Sequence, residues 1–475
     1  ETETETETET ETETETETET PASRPWPAGP DEERVARASF APPSGRSPSS
    51  SPPRVAAPPP TAPNAASLRP SGTYDPTAGP REPSDAEPEL RAVANDEGSG
   101  RWRAGRRSPT VGAEAELRQR LVKGDLDAGL ELGARLLGEG SRARLAVAPL
   151  LRVVRAEPWR VDALRLLHQA ADGSRALAIA SVCATLRTLF EDRSADPEPD
   201  HLLRWSDYVA EPRGLVTPRP SAWLRALGEV WRGSPTLFQG SLEAIGLGSA
   251  TRVDPAGSDV APRSAAHLLA VAQGVLELGD VALYSLGANE GIEVVPTRPP
   301  TVVVTAYEER SRGHLLPFRL GRALELARPV HVLATTQAPD DLEVLLQGID
   351  VAFGRPIEAV AEPVAAMASS LWGALPTKSQ GALRTLLAAA PPAPDVTMIL
   401  EELAEAGARA GFLLEGSLAR SIDALALHDP DLAPERLGNE AGFAALAKHH
   451  PSFRAVLRMA LSDEHLAARA HLLRE

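Results

Sequence analysis

Cysteine is almost absent from the chain, because Cys183 is the only one. A disulfide within the chain and a cysteine-rich zinc site are therefore excluded. Cys183 stands among alanines and leucines, which predicts a small buried hydrophobic side chain and not a reactive thiol. A single cysteine also fits a reducing compartment, so the sequence predicts a cytoplasmic protein.

Long apolar stretches are missing as well. A transmembrane helix needs about 18 or more consecutive apolar residues without charges, and the sequence contains no such run. We therefore predict no integral membrane segment. No secretory leader is visible either. The chain begins with Glu1 and not with methionine, and a signal peptide would be missing from it if the sequence were incomplete.

A surplus of positive charge is also lacking. The formal net charge is -17, and the ten glutamates of residues 1–20 supply -10 of it, which leaves about -7 for the remaining chain. A protein surface that binds nucleic acid normally carries a basic face or stripe. The sequence therefore predicts no nucleic-acid partner.

Core-forming residues are scarce in the first fifth of the chain. Residues 1–20 are ten Glu-Thr repeats, and the segment that follows contains runs such as SGRSPSSSPPRVAAPPPTAP. Alternation of polar with polar residues gives neither a helix stripe nor a strand face, and the apolar area is too small to offset the entropy of ordering. We therefore predict that residues 1–112 are disordered.

Apolar residues at helical spacing begin near Glu114. The segment AEAELRQRLVKGDLDAGLELGARLLGEG predicts two short amphipathic helices that are joined at Gly124-Asp125, and residues 161–190 repeat the pattern with Gly173 at the turn. The pattern resembles the tetratricopeptide repeat, whose turn and second helix often read G-D-x-x-x-A. This resemblance implies a helical repeat-like module over residues 113–212, with a concave surface for a protein partner.

A strand-rich stretch follows in the middle of the chain. The patterns VALYSL, IEVV and TVVVT within residues 281–305 predict three short strands and a small, mostly antiparallel sheet. The last strand, Thr301–Thr305, has three consecutive valines, which suits a strand buried on both faces. A helix comes next, with Pro317 in its first turn and Pro329 beyond its end.

The strand, turn and helix of residues 301–329 resemble the core of gluzincin-type zinc peptidases of the CAAX-prenyl-peptidase sort, whose helix reads roughly L-A-H-E-L-G-H. Leu320 and Gly321 stand at the first two positions of that pattern. The positions of the first zinc-binding His, the general-base Glu and the second His hold Arg322, Ala323 and Leu326. The resemblance implies an α+β zincin-like domain over residues 213–375 that lacks HExxH. The alternative interpretation is an ordinary buried helix beside an ordinary strand.

These substitutions remove the chemistry of a zinc peptidase. Two imidazoles at i and i+4 bind zinc from one helix face, and the carboxylate between them takes a proton from the metal-bound water. A guanidinium cannot ligate a cation, and alanine and leucine offer no lone pair. We therefore predict that Arg322, Ala323 and Leu326 hold no metal and no cofactor, and that none of them is catalytic.

Helical patterns return over residues 376–475 and predict a C-terminal helical module. Its histidines, His449-His450 and the pair His465 and His471, lack the i+4 spacing that a shared metal needs. The predicted fold class is mainly α with a small β-sheet. The order of helical repeats, sheet and a helix followed by Arg-Pro is similar to that of tetratricopeptide-linked bacterial proteins of delta-proteobacteria.

Three hypotheses on function follow from these patterns. The first is a non-catalytic protein-protein interaction or scaffold protein, with helical repeats and an inactive peptidase-like core, that binds a protein or peptide partner. The second is an enzyme whose site lies near His314 and Arg322, with Glu308 and Glu309 close by. The third is a regulator that binds peptides in the vestigial peptidase groove, where a bound extended segment would lie against the strand Thr301–Thr305.

Overall fold

Twenty α-helices and one four-stranded β-sheet form in the part of the chain that the structure, a computed structural model, describes. That part comprises residues 109–190, 212–216, 219–234, 236–241, 243, 248–255, 264–287, 291–355, 359–392, 395–427 and 429–472. All of it belongs to one compact unit, residues 100–475. The prediction of a mainly helical chain with a small sheet is confirmed. The predicted disorder of residues 1–112 falls almost wholly outside the described residues.

The first five helices pack each against the next along the chain. They span Pro109–Val122 (α1), Leu126–Gly138 (α2), Ala143–Ala156 (α3), Val161–Ser174 (α4) and Leu177–Phe190 (α5). The predicted Gly124-Asp125 turn forms, since Gly124 has a positive φ of 95° and the Asp125 side chain accepts a hydrogen bond from the N–H of Ala128. The second turn is not at Gly173, because α4 continues to Ser174 and ends at Arg175 in the left-handed region.

The sheet has the strand order β1-β2-β4-β3. Its strands are Thr251–Arg252 (β1), Ala282–Leu286 (β2), Ile292–Val295 (β3) and Thr301–Thr305 (β4). Two of the three pairings are antiparallel, as predicted, and β2 pairs with β4 in parallel. All five residues of β4 are buried. Val302 and Val304 face the large helical core, whereas Val303 packs in a smaller cluster on the opposite face.

The middle of the chain surrounds this sheet with helices. They span Pro212–Val216 (α6), Ala222–Gly233 (α7), Ala265–Val275 (α8), Ala306–Ser311 (α9), Leu316–Leu326 (α10), Val332–Thr336 (α11), Pro339–Phe353 (α12) and Glu362–Ala374 (α13). As predicted, Pro317 lies in the first turn of α10, where a helix tolerates a missing N–H, and the helix ends before Pro329.

The remaining helices complete the core. They span Thr377–Ala388 (α14), Val396–Glu415 (α15), Leu418–Ala426 (α16), Pro434–Leu437 (α17), Glu440–His449 (α18), Pro451–Ala460 (α19) and Asp463–Leu472 (α20), with a 3₁₀ turn at Pro430–Leu432. The C-terminal half of α15 lies against α10 in a hydrophobic cluster that also includes residues of α1–α5, α8 and one sheet face. A second cluster joins α7 and α11–α14 with the start of α15. None of the described helices combines the length and the apolarity that crossing a membrane requires.

Candidate functional site

A cleft between α10 and β3 is lined by Arg322, Ala323 and Leu326, the residues that the sequence resemblance aligns with the zinc site of a peptidase. The cleft has a volume of about 800 Å³, and Gly291–Pro296 form one side of it. The residues of α10 that line it are Phe318, Arg319, Arg322, Ala323 and Leu326, and α11 and α16 add Thr335, Thr336 and Ala424. Arg322 and Leu326 are partly exposed there, whereas Ala323 is 7% exposed and also belongs to the large hydrophobic core.

Strand β3 forms an edge of the sheet, and this corrects the hypothesis that a peptide adds to Thr301–Thr305. β4 is hydrogen-bonded to β2 on one side and to β3 on the other, so its backbone groups are already paired. In the described part of the chain, β3 has a strand partner only in β4. A strand can be added at β3 and not at β4.

The register shows which groups of β3 point outward. The N–H of Thr305 donates to Gly291 O at 3.3 Å, and Ile292 pairs with Val304 in the antiparallel ladder. Because hydrogen-bonded and non-hydrogen-bonded pairs alternate, the N–H and C=O groups of Ile292 and Val294 point away from β4. The side chains of these two residues pack against the core that contains α10. β3 therefore presents two outward N–H groups and two outward C=O groups at the cleft.

Arg322 brings a positive charge into this cleft. Its side chain is half-buried, and within the described residues it makes no hydrogen bond and no ion pair. Burial lowers the pKa of the Arg322 guanidinium from its ordinary value, and the charge of Asp429 opposes this effect. The guanidinium nevertheless stays protonated near neutral pH, because its ordinary pKa is above about 12.

The neighbouring guanidinium, Arg319, is held differently. It pairs closely with the fully buried carboxylate of Glu308, which also accepts a hydrogen bond from Arg312 Nη1 at 3.4 Å. Two cations thus surround one carboxylate at the base of α9, directly after β4. Such a buried ion pair fixes the start of α10 relative to the sheet, and Glu308 does not line the cleft.

The end of α10 carries a second buried polar group, centred on His331. The Nδ1 atom of His331 lies 3.0 Å from Glu325 O, and Arg328 Nη1 donates to Leu276 O at 2.6 Å. Burial lowers the pKa of His331 to about 4, so the imidazole is neutral near pH 7. The carbonyl contact assigns the proton to Nδ1, and Nε2 has no hydrogen-bond partner among the described residues. These groups anchor α10 to α8 and α11.

The other candidate residues lie elsewhere. His314 is exposed in the turn before α10 and does not line the cleft, so the structure does not bring it together with Arg322 there. The side chain of Glu309 is outside the described residues. His450 accepts a hydrogen bond from the N–H of Phe453 through Nδ1, and its Nε2 lies 2.6 Å from Asp429 Oδ2, so it caps α19. Burial raises the pKa of the Cys183 thiol to about 12, as the prediction of an unreactive buried side chain requires.

Histidine, cysteine and carboxylate side chains are the protein groups that most often bind metal ions. Across the described ranges, no three of them are grouped so that they would hold one ion. His465 is fully buried against the Phe412 ring at 4.8 Å, and burial lowers its pKa to about 3.

Two features of the cleft are not evident from the sequence. The edge position of β3 depends on strand order, which the sequence pattern does not encode. The ion pair between Glu308 and Arg319 joins residues on two different helices, although the spacing of Arg319 and Arg322 on one side of a helix was visible.

The chain was compared with protein families, with characterised proteins and with solved structures, and none of them matches it. The contacts around α10 and β3 therefore carry the functional argument.

Proposed function

We propose that the protein is a non-catalytic interaction protein whose cleft between α10 and β3 binds an extended segment of a partner protein. One observation carries the proposal: Arg322, Ala323 and Leu326, which the resemblance aligns with a peptidase zinc site, line a cleft beside β3, a strand that pairs on one side only within the described residues. The outward N–H and C=O groups of Ile292 and Val294 are suited to a peptide backbone.

The same residues argue against peptide hydrolysis. Arg322 cannot ligate zinc, and Ala323 and Leu326 have no group that takes up a proton. Two buried carboxylates lie near these residues in the chain, and neither lines the cleft. Glu308 is engaged by two guanidiniums, and a Glu325 oxygen lies 3.6 Å from Arg328. The proposal is thus a zincin-like core that has kept a peptide groove and has lost the catalytic groups. In this proposal α1–α5 form a tetratricopeptide-like module that offers a second protein-binding surface.

Binding of random peptides to the full chain tests this proposal. Peptides of about eight residues, blocked at both ends, span β3 with a margin on each side. They are selected by display on the purified protein, and the affinity of the selected peptides is then measured by fluorescence polarisation. Addition to the edge of β3 predicts that these peptides become protected from hydrogen exchange together with the amides of Ile292 and Val294.

Two variants at one position separate backbone from side-chain recognition. Val294→Pro removes an N–H that points away from β4, so the sheet keeps its hydrogen bonds, and Val294→Ala removes a similar part of the side chain but keeps the N–H. We expect Val294→Pro to weaken peptide binding about tenfold more than Val294→Ala. Equal affinities of the two variants would contradict strand addition. Zinc-dependent peptidase activity that a chelator abolishes would contradict the non-catalytic proposal as a whole.

A further inference from the structure

Arg322 differs from the other buried guanidiniums of its region. Arg319 is neutralised by Glu308, and Arg328 donates to Leu276 O at 2.6 Å and lies 3.6 Å from a Glu325 oxygen. Within the residues that the structure describes, no acceptor of this kind is placed at Arg322. The nearby Asp429, whose charge acts on Arg322, is already engaged by His450 at 2.6 Å. The guanidinium lines the open cleft and has no direct acceptor among the described residues, so a ligand in the cleft has room to supply one.

The position of the guanidinium is fixed by the helix behind it. A Cβ atom on Gly407 of α15 would lie 3.0 Å from Arg322 Cγ and 3.4 Å from Leu326 Cγ. The aliphatic stem of Arg322 thus packs closely against α15 at Gly407, where an added Cβ would require the stem to shift. This contact limits the rotamers of the stem, so less side-chain entropy is lost when the guanidinium binds a ligand.

We propose that Arg322 binds a carboxylate side chain of the partner peptide, so that the cleft selects acidic segments. This inference rests on the proposed function and names the chemistry of its ligand. A strand added at β3 would run about 4.8 Å from it, and alternate side chains of that strand would point to the same side as Ile292 and Val294, which is the side of α10. A guanidinium binds a carboxylate through two parallel hydrogen bonds, which gives both energy and geometric selectivity.

The carboxylate belongs to a side chain and not to the end of the peptide. The cleft extends along α10 on both sides of Arg322, from Phe318 to Leu326, so a peptide that fills it continues past the guanidinium in both directions. Glu293 also lines the cleft, but its side chain is exposed and projects from the face of β3 opposite to Ile292 and Val294. It is therefore hydrated and does not take the place of the ligand.

The test uses peptide pools with one fixed central residue. Each pool is acetylated and amidated, has random residues around the centre, and carries Glu, Asp, Gln or Lys at the central position; a further Gln pool has a free C-terminal carboxylate. Binding to the full chain is measured by fluorescence polarisation. We expect the Glu or Asp pool to bind about ten to a hundred times more tightly than the Gln pool, as one charge-assisted bidentate contact implies.

Substitutions of Arg322 test whether this residue causes the preference for acidic peptides. Arg322→Gln should make the affinities of the Glu and Gln pools equal, and Arg322→Glu should favour the Lys pool. Arg310→Gln is the matched control, because it removes an exposed positive charge of α9 that does not line the cleft, and it should leave the preference unchanged.

The possible results separate the two proposals. If all pools bind equally, and Val294→Pro still weakens them, peptide binding stands and the selection of acidic segments is overturned. A preference for the Gln pool with a free carboxylate over the acidic pools would assign Arg322 to a chain end and would also overturn the inference. If no pool binds, the proposed function fails and the inference fails with it.

Discussion

Gly321 of α10 and Gly411 of α15 lie backbone to backbone: a Cβ atom on Gly321 would be 3.2 Å from the Cα atom of Gly411. On the same crossing, a Cβ atom on Gly411 would lie only 2.6 Å from Phe318 O, whose backbone cannot move aside without shifting α10. This close approach brings α15 against the helix that forms the floor of the cleft. The position of α10 thus depends on glycines that are distant from it in the sequence.

The first prediction concerns this helix crossing. We expect Gly411→Ala to lower the free energy of unfolding by about 1–3 kcal/mol, because the added methyl group overlaps a backbone carbonyl. Gly381→Ala is the control, since it adds the same group on the exposed side of α14, where no atom lies within 4 Å. That variant should be stabilised by about 0.5–1 kcal/mol. Urea unfolding of both variants measures the difference in their free energies of unfolding. Equal stabilities would show that α10 and α15 are not packed as closely as the distances at Gly411 indicate.

The second prediction concerns the buried ion pair of Glu308. Glu308→Gln removes a charge that is shared with Arg319 and Arg312 and leaves two guanidiniums around a neutral group. We expect a loss of about 3 kcal/mol in the free energy of unfolding. Asp431→Asn is the comparison, because it breaks an exposed ion pair with Arg436 and should cost less than about 1 kcal/mol. If the two substitutions lower the free energy of unfolding by similar amounts, the Glu308 carboxylate is accessible to water, as that of Asp431 is.

The elements with strong local patterns were predictable from the sequence. The three valines of β4, the apolar stripe of α10 and the Gly124-Asp125 turn each follow from the spacing of neighbouring residues. Their partners were not predictable, because the pairing of β4 on both sides and the crossing of α10 with α15 are long-range contacts. The sequence predicted the second turn at Gly173, whereas α4 ends at Arg175, a non-glycine residue in the left-handed conformation.

Some features of the cleft follow from local sequence patterns, and others follow from long-range contacts. The sequence resemblance aligned Arg322 and Leu326 with the zinc ligands of a peptidase helix, but their place in a cleft beside β3 depends on the strand order of the sheet. That Arg322 forms no ion pair within the described residues also depends on tertiary structure, because acidic residues near it in the sequence bind other cations. Glu308, which is used by Arg319 and Arg312, is one of them.

The third prediction concerns acid stability and His331. Burial lowers the pKa of this imidazole to about 4 in the folded protein, compared with about 6.5 in the unfolded chain. Protonation therefore favours the unfolded state, so the contribution of His331 is complete above pH 6.5 and is lost as the pH falls toward 4. At pH 5 the loss is about 2 kcal/mol relative to pH 7.5.

His331→Asn provides the measurement. The Asn amide keeps a donor near the position of Nδ1, which contacts Glu325 O, but it does not titrate. In urea unfolding, we expect the stability of the parent to fall between pH 7.5 and 5 by about 2 kcal/mol more than that of the variant. A slope remains in both proteins because the buried His465 titrates in the same direction. If the stabilities of the parent and the variant fall equally with pH, the His331 imidazole is accessible to water in the folded protein.

The fourth prediction tests the resemblance to a zinc peptidase core. The triple substitution Arg322→His, Ala323→Glu and Leu326→His restores the ligand pattern on a helix face that lines the cleft. We expect the variant to bind one Co²⁺ or Zn²⁺ per chain, with visible absorption of the cobalt form, because imidazoles at i and i+4 converge on one ion. Arg322→His alone is the control and should bind far more weakly. The absence of cobalt binding in a folded triple variant would contradict a zincin-like arrangement.

The fifth prediction compares two arginines one helical turn apart on α10. Arg322→Met keeps the stem that packs on Gly407 and removes a half-buried charge that has no acceptor in the described structure, so we expect equal or higher stability, by up to about 1 kcal/mol. Arg319→Met removes the partner of the buried Glu308 and should cost about 3 kcal/mol. Urea unfolding shows whether each substitution raises or lowers the free energy of unfolding. If Arg322→Met destabilises the protein as much as Arg319→Met does, Arg322 has a structural role. Opposite signs mean that the chain keeps a destabilising charge at the centre of its cleft, which a structural role does not explain and binding of a carboxylate does.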